Sequence, residues 1–305
     1  MFNKWENTGI WIDEKNLPSG YKYLSLPIVF QIYDETYLIV TSRDKFGRSI
    51  PFQTKIKSLE DIKNVVFEDK QLLEFGEFGH FDEDGIMACQ VYSEGDRHYM
   101  LYIGWNKALS VPFRNAIGIA EWINGTWNKL YKGPILDRNW HDTCFVASPF
   151  LINLYEEGYR LFYLSCRNWE QRNNKLVHFY DITFADSKTL THFNASGKLI
   201  ISFNNQFEYA FSRPFVLKTD NCIQMWYSFR ASQNNPYYNI GYAESTDGIN
   251  WIRKDGDVSI KRYGDKKDDQ DICYGYICFE NGFKYMLYNG NGYGLTGFGI
   301  LKEVI

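Results

Sequence analysis

One apolar, aromatic anchor recurs five times along the chain, as Leu38-Ile39-Val40, Met100-Leu101-Tyr102, Leu161-Phe162-Tyr163, Met225-Trp226-Tyr227 and Met286-Leu287-Tyr288. The interval from each anchor to the next is nearly constant, and five units of that size account for the whole sequence. Self-similarity at a long, fixed period marks a repeat architecture, in which each unit buries its faces against its neighbours. Before each anchor runs a second apolar segment (Leu26 to Phe30, Ile86 to Val91, Val146 to Ile152, Pro214 to Leu217, Cys273 to Phe279), with polar turns such as Tyr33-Asp34-Glu35 and Glu280-Asn281-Gly282 between the two. Paired apolar runs around a tight turn read as hairpins. A third strand follows, clearest at Ala116 to Ala120 and Asn239 to Ala243, and Ser245-Thr246-Asp247-Gly248 turns the fourth unit into a fourth strand at Trp251.

Aromatic residues make up 18% of the chain, and a helix-period stripe is hard to find except near Leu59 to Val65. Four strands in each of five units predict an all-β fold, a five-bladed β-propeller of four-stranded antiparallel blades around a central channel. Radial closure leaves only short sheet edges. A sandwich followed by a second small domain is the competing all-β reading, but it would not repeat at one long period from end to end. No Pro/Ser/Gly-rich linker divides the chain, so one domain over residues 1–305 is expected.

A net charge of -4 argues against a surface that wraps a polyanion, so no nucleic-acid partner is expected. The six cysteines show no C-x-x-C spacing, and most lie inside apolar runs, where a free thiol behaves as a small core residue. The N-terminal residues lack a basic-then-apolar leader and no apolar run approaches a membrane span, so a cytoplasmic location without a membrane span is expected. No phosphate-binding glycine loop, dinucleotide fingerprint or zinc spacing stands out, so neither cofactor nor metal is expected. Ser245-Thr246-Asp247-Gly248 with Trp251 resembles a sialidase Asp-box one residue short, and it occurs clearly once.

With the anchors as a ruler, Asp82, Asp142, Glu208 and Asp269 stand at nearly equal intervals ahead of Met100, Leu161, Met225 and Met286, at the start of the innermost strand. The first unit has Gly20 and Tyr21 there. The starts of all innermost strands ring one mouth of the channel. Carboxylates that converge on a pocket raise one another's pKa, which lets one stay protonated while another is ionised, as glycosidic cleavage requires. The alternative is that Asp and Glu merely begin strands as turn residues. Arg43, Asn106, Arg167 and Arg230 stand at the returning end of the second strand, and Arg213 in Ser212-Arg213-Pro214 joins them from the fourth innermost strand. Guanidinium forks suit a carboxylate or phosphate, so the ligand reads as an anionic or nucleotide-activated sugar, unless the arginines simply pair with the ring acids. Trp105, Trp140, Trp169 and Tyr293 can stack on sugar faces or fill wedges between blades. Asp84 and His141 beside the ring acids complete the expected binding set.

His80-Phe81-Asp82-Glu83-Asp84-Gly85, Tyr102-Ile103-Gly104-Trp105-Asn106, Phe145 to Phe150, Tyr242 to Trp251 and Met286 to Gly294 resemble the glycosidase-like five-bladed propeller proteins found with bacterial surface-polysaccharide genes. The resemblance spans the chain and extends distantly to arabinanase, xylosidase and invertase type glycosidases and to mannoside phosphorylases. It implies a carbohydrate-active enzyme in which Asp82 serves as base or nucleophile, Asp142 tunes pKa and Glu208 is the acid. Those glycosidases carry an Asp on the first innermost strand, where this chain has Ser25-Leu26-Pro27. The acid role predicts that Glu208→Gln stops turnover and leaves the fold intact. A glycosyltransferase or phosphorylase that uses an activated or phosphorylated sugar, and a non-catalytic carbohydrate-binding propeller, are the alternatives.

Overall fold

A computed structural model of the chain describes residues 3–172, 174–232 and 236–304. The fold is nearly all β. Its antiparallel ladders fall into five consecutive groups. The first holds Lys22–Ile32, Glu35–Arg43 and Ser49–Ile56. The second holds Gly85–Glu94, Arg97–Lys107, Phe113–Ile123 and Thr126–Lys129. The third holds Phe145–Asn153, Tyr159–Arg172, Lys175–Ser187 and the short Asn194–Ala195, and the fourth Ala210–Lys218, Ile223–Arg230, Tyr238–Ser245 and Ile252–Arg253. The fifth pairs Cys273–Glu280, Phe283–Asn289 and Phe298–Val304, and takes its outer strand from the other end of the chain, Asn3–Ile12, which also pairs in parallel with Val258–Ile260.

Continuous hydrogen bonding joins the groups into three sheets, but each extra join is a single parallel pair, Ser49 with Gly85 and Tyr180 with Ala210. The first strand of each group touches the first strand of the next, and the fifth, Cys273–Glu280, touches Lys22–Ile32. The contacts therefore close into a cycle. The anchors lie on the second strand of every group, where they are buried on both faces, which is why they read as continuous apolar runs. The expected helix near Leu59 to Val65 is a 3-10 turn, Glu60–Asn64, held by buried Ile62. Asn281 and Gly282 both take positive φ, 52° and 79°, as the primed hairpin turn between strands requires. Ile252–Arg253 pairs as the fourth strand after the Asp247-Gly248 turn. Among the described residues no helix is long and apolar enough to cross a membrane.

The innermost strands share one irregularity. Each breaks register at a matching place, between Ser25 and Ile28, Ala88 and Gln90, Ala147 and Phe150, Ser212 and Phe215, and Cys273 and Tyr276, and the first strand breaks a second time between Lys22 and Ser25. At four of these bulges a non-glycine residue takes positive φ: Leu26, Ser148, Arg213 and Tyr274, at 53°, 52°, 52° and 59°. Such backbone costs about 1–3 kcal/mol per residue, and it persists because the bulge re-aims the side chain and frees an amide for a neighbour. The Leu26 amide donates to Asn289 Oδ1 at 2.9 Å and the Tyr274 amide to Ser228 Oγ at 2.7 Å, each acceptor on the preceding group in the cycle. Gln90 plays the same part between the second and third groups, bonding both the amide and the carbonyl of Leu151.

Candidate active site

The bulges aim their residues at a central cavity of about 160 Å³. All five groups wall it: Leu26 from the first, Met87 and Phe113 from the second, Ser148, His178 and Tyr180 from the third, Arg213 and Tyr238 from the fourth, and Tyr274 from the fifth. Arg213 is 5% exposed and crosses from the fourth group to the second, where it donates to the carbonyls of Ala88 and Cys89 at 3.3 and 3.2 Å and to Cys89 Sγ at 3.1 Å. Tyr180 and Tyr238 share a hydrogen bond between their hydroxyls. His178 stacks on Tyr180 and meets Trp169 at 4.7 Å. Burial, with a smaller contribution from the Arg230 charge, pushes His178 down to about 4, so it is neutral at pH 7.

The rim carries Arg230, which donates to the Tyr293 hydroxyl and lies against the rings of Tyr238 and Tyr293 at 4.4 and 5.5 Å. Arg43 covers the Trp105 ring at 5.4 Å, and Trp105 in turn donates to Ser49 Oγ at 3.0 Å. Of the expected residues, Arg213 lines the cavity and Arg230 and Tyr293 pack on its wall residue Tyr238, while Arg43 and Trp105 pack on each other. Among the described residues, the cavity wall holds no Asp or Glu.

The three acids do not converge there. Asp82, 1% exposed, accepts from the Tyr102 hydroxyl at 3.3 Å and from Lys129 Nζ, on the outer strand of its own group, at 2.5 Å. Asp142, fully buried, accepts from Tyr163 at 2.8 Å, Ser165 at 2.6 Å and Asn139 Nδ2 at 2.7 Å. Glu208 forks onto Arg253, again on an outer strand, at 2.7 and 3.1 Å, and caps the Asn204 amide at 2.8 Å. Arg253 also pairs with Asp255, which accepts from Tyr227 at 2.7 Å. In the fifth group Asp268 accepts from Tyr288 at 2.6 Å.

These contacts follow one rule. The last residue of each anchor, Tyr102, Tyr163, Tyr227 and Tyr288, donates its hydroxyl to a carboxylate of its own group. Burial first, and the adjoining carboxylate second, hold all four phenols far above the ordinary tyrosine range, so each stays a donor. The first anchor ends in Val40, which has no hydroxyl, and the first unit has Gly20 and Tyr21 where the others carry their acid. Two of the periodic acids, Asp82 and Asp142, are thus partners of anchor tyrosines inside their own groups, whereas in the fourth and fifth groups that part falls to Asp255 and Asp268. The structure does not bring Asp82, Asp142 and Glu208 together at the cavity, where a shared catalytic pocket was expected of them.

The remaining expected site residues also lie apart. Asp84 caps the Lys107 amide at 2.8 Å and pairs with its Nζ at 3.2 Å. Asn106 lines a separate cleft of about 480 Å³ with His80, Arg114, Lys132 and Arg138, which adjoins the cavity through Asn115. His141 is exposed and packs against Gly197, and Asp269 is exposed and accepts from Asn291 Nδ2 at 2.5 Å. Arg167 faces Asp181 at 3.2 Å, in line with the ion-pair alternative for the arginines. Burial raises Asp181 to about 6 despite Arg167, and among the described residues its Oδ1 has no hydrogen-bond partner.

Tyr180, Tyr238, Tyr274, His178 and Asp271 were not anticipated. A signal for the cavity did exist. Pro27, Pro149 and Pro214 stand at matching places ahead of Leu38, Leu161 and Met225, each just after a bulge residue, in strands that otherwise exclude proline.

No protein-family model matches the chain. Over 301 residues, 97% of this chain and 98% of the relative, it is 27% identical to Uncharacterized protein Rv1502 of Mycobacterium tuberculosis. Among solved structures it is similar to an endo-arabinase from Bacteroides thetaiotaomicron, at 14% identity and a TM-score of 0.64 over 93% of this chain and 94% of that one. It is also similar to a glycosyl hydrolase from Bacteroides ovatus, at 13% identity and a TM-score of 0.71 over 99% and 94%. The chain shares the fold of these propeller-type glycoside hydrolases. Identities this low speak for the fold alone.

Proposed function

We propose that the five strand groups are five blades of one propeller domain spanning residues 1–305, and that the chain is a carbohydrate-active enzyme that cleaves or transfers a glycosyl group at the central cavity. The carrying observation is the cavity itself: walled from all five groups, lined by aromatic rings, and set with guanidinium groups. Aromatic faces suit sugar rings, and the arginines suit a carbohydrate or activated-sugar ligand that is anionic. At about 160 Å³ the cavity is smaller than the roughly 300–1,000 Å³ of sites that engulf a drug-sized molecule. It takes one ring or one charged group, with the rest of the ligand at the Trp105 and Tyr293 rim.

One observation favours transfer over hydrolysis. Hydrolysis by paired carboxyl groups needs two of them roughly 5–10 Å apart across the pocket, and among the described residues the wall offers none. A nucleophile that brings its own negative charge needs no carboxylate base.

The test is turnover on a panel of aryl glycosides, glycosyl phosphates and nucleotide sugars, with Tyr293→Ala alongside. At least one substrate is expected to turn over, with about a ten-fold loss in kcat/KM for the variant, as loss of a stacking face implies. Binding without turnover would make the chain a carbohydrate-binding propeller. No binding of any sugar would remove the cavity as a ligand site.

A further inference from the structure

One guanidinium group, Arg213, lines the cavity, Arg230 lies on the wall residue Tyr238 and Arg43 acts on the wall residue Tyr274; among the described residues none of the three has a carboxylate within ion-pair distance. Arg213 spends its N–H groups on backbone carbonyls and a thiol, which satisfies its hydrogen bonds but leaves its charge uncompensated. The Nε of Arg230 is buried without a hydrogen-bond partner among the described residues. Arg43 donates to the Gly47 carbonyl at 2.8 Å, and burial holds it below the usual arginine range. Asp44, next in sequence, is occupied by Arg48 at 2.8 Å. Arg213 is buried and Arg43 and Arg230 half-buried, and unpaired charge withdrawn from water is costly, so three such groups close to one cavity favour a ligand of negative charge.

The amount of charge matters as well as its sign. Asp271, 4% exposed and capped by the amides of Tyr238 at 2.5 Å and Gly292 at 3.2 Å, acts on the same Cys273 and Tyr293 as Arg230 does. His178 is neutral, as derived above. Three positive groups against one carboxylate leave two charges for a ligand to supply. A sugar carboxylate brings one, whereas a phosphate monoester brings about 1.5 to 2 at pH 7 and three acceptor oxygens.

If the cavity is the ligand site proposed above, we infer that it takes a phosphoryl group, from free phosphate or a glycosyl phosphate, contacted by Arg230 and Arg213 with Arg43 at the rim. The experiment is calorimetry on the full chain with orthophosphate, glucose 1-phosphate, glucuronate and glucose, and with Arg230→Gln and Arg43→Gln checked for fold by circular dichroism. Orthophosphate and glucose 1-phosphate are expected to bind at least ten-fold more tightly than glucuronate, and Arg230→Gln to weaken both about ten-fold or more. Tighter binding of glucose 1-phosphate than of orthophosphate assigns the ligand as a glycosyl phosphate, and the reverse assigns free phosphate.

If the arginine variants do not fold, the rise in Tm of the wild-type chain with phosphate, against none with equal glucuronate, carries the test. Glucuronate binding as tightly as phosphate overturns the phosphoryl assignment and leaves the sugar site standing. So does binding of neutral sugar alone. Phosphate binding unchanged in both folded variants places the anion elsewhere and overturns it too, whereas absence of all binding removes the cavity reading as well.

Discussion

Replacing Glu208 with glutamine separates a structural carboxylate from a catalytic one. The Arg253 side chain is 9% exposed and reaches Glu208 through Nη1 and Nη2 and Asp255 through Nη2 and Nε. Removing one partner of a buried ion pair costs about 3–5 kcal/mol when the other is left alone. Asp255 and the Ser202 carbonyl at 3.0 Å remain to Arg253, so the cost here is about 2–3 kcal/mol. Urea denaturation of Glu208→Gln should show a lower midpoint at unchanged m-value, and Arg253→Met in the same background should show a coupling of about 2 kcal/mol. Activity of the folded variant should stay within a few-fold of wild type on whichever substrate turns over. A variant that keeps wild-type stability and loses turnover would refute the lock and restore Glu208 as the acid.

Tyr163→Phe removes one of three donors to fully buried Asp142 and should cost about 1.5–3 kcal/mol in urea, whereas Val40→Thr in the first group, with no acid to reach, should gain nothing. His178 has a folded pKa of about 4 against an unfolded value of 6.5, so its contribution is fully present above 6.5 and is lost as pH falls towards 4. Between pH 7 and 5 that loss is about 2 kcal/mol at most, and His178→Phe should flatten the acid side of the stability curve by that amount. Asp181, raised to about 6, has the opposite sign over pH 4 to 6 but is present in both proteins, so the difference between them isolates His178. Equal acid slopes in the two would refute the neutral, buried histidine.

The order of strands was legible because a chain that repeats one anchor at so long and regular a period has few ways to bury each unit. Arg213 lies beside Pro214 just where its strand breaks register, and it lines the cavity. The acids were misread because spacing along the chain does not say which way a side chain points. Asp268 and Asp269 are neighbours in sequence, yet the first lies under Tyr288 and the second in solvent.

By itself the sequence determined the five-unit rhythm, the hairpins and the all-β character, because apolar period and turn chemistry are local properties. Only the tertiary structure decided which carboxylates serve tyrosine hydroxyls, Asp82, Asp142, Asp255 and Asp268 in four of the groups, while bulged residues build the cavity. Each bulge resets the two-residue alternation of its strand, and the hydroxyl that claims an acid comes from a different strand, well removed along the chain, as Tyr102 does for Asp82 and Tyr163 for Asp142.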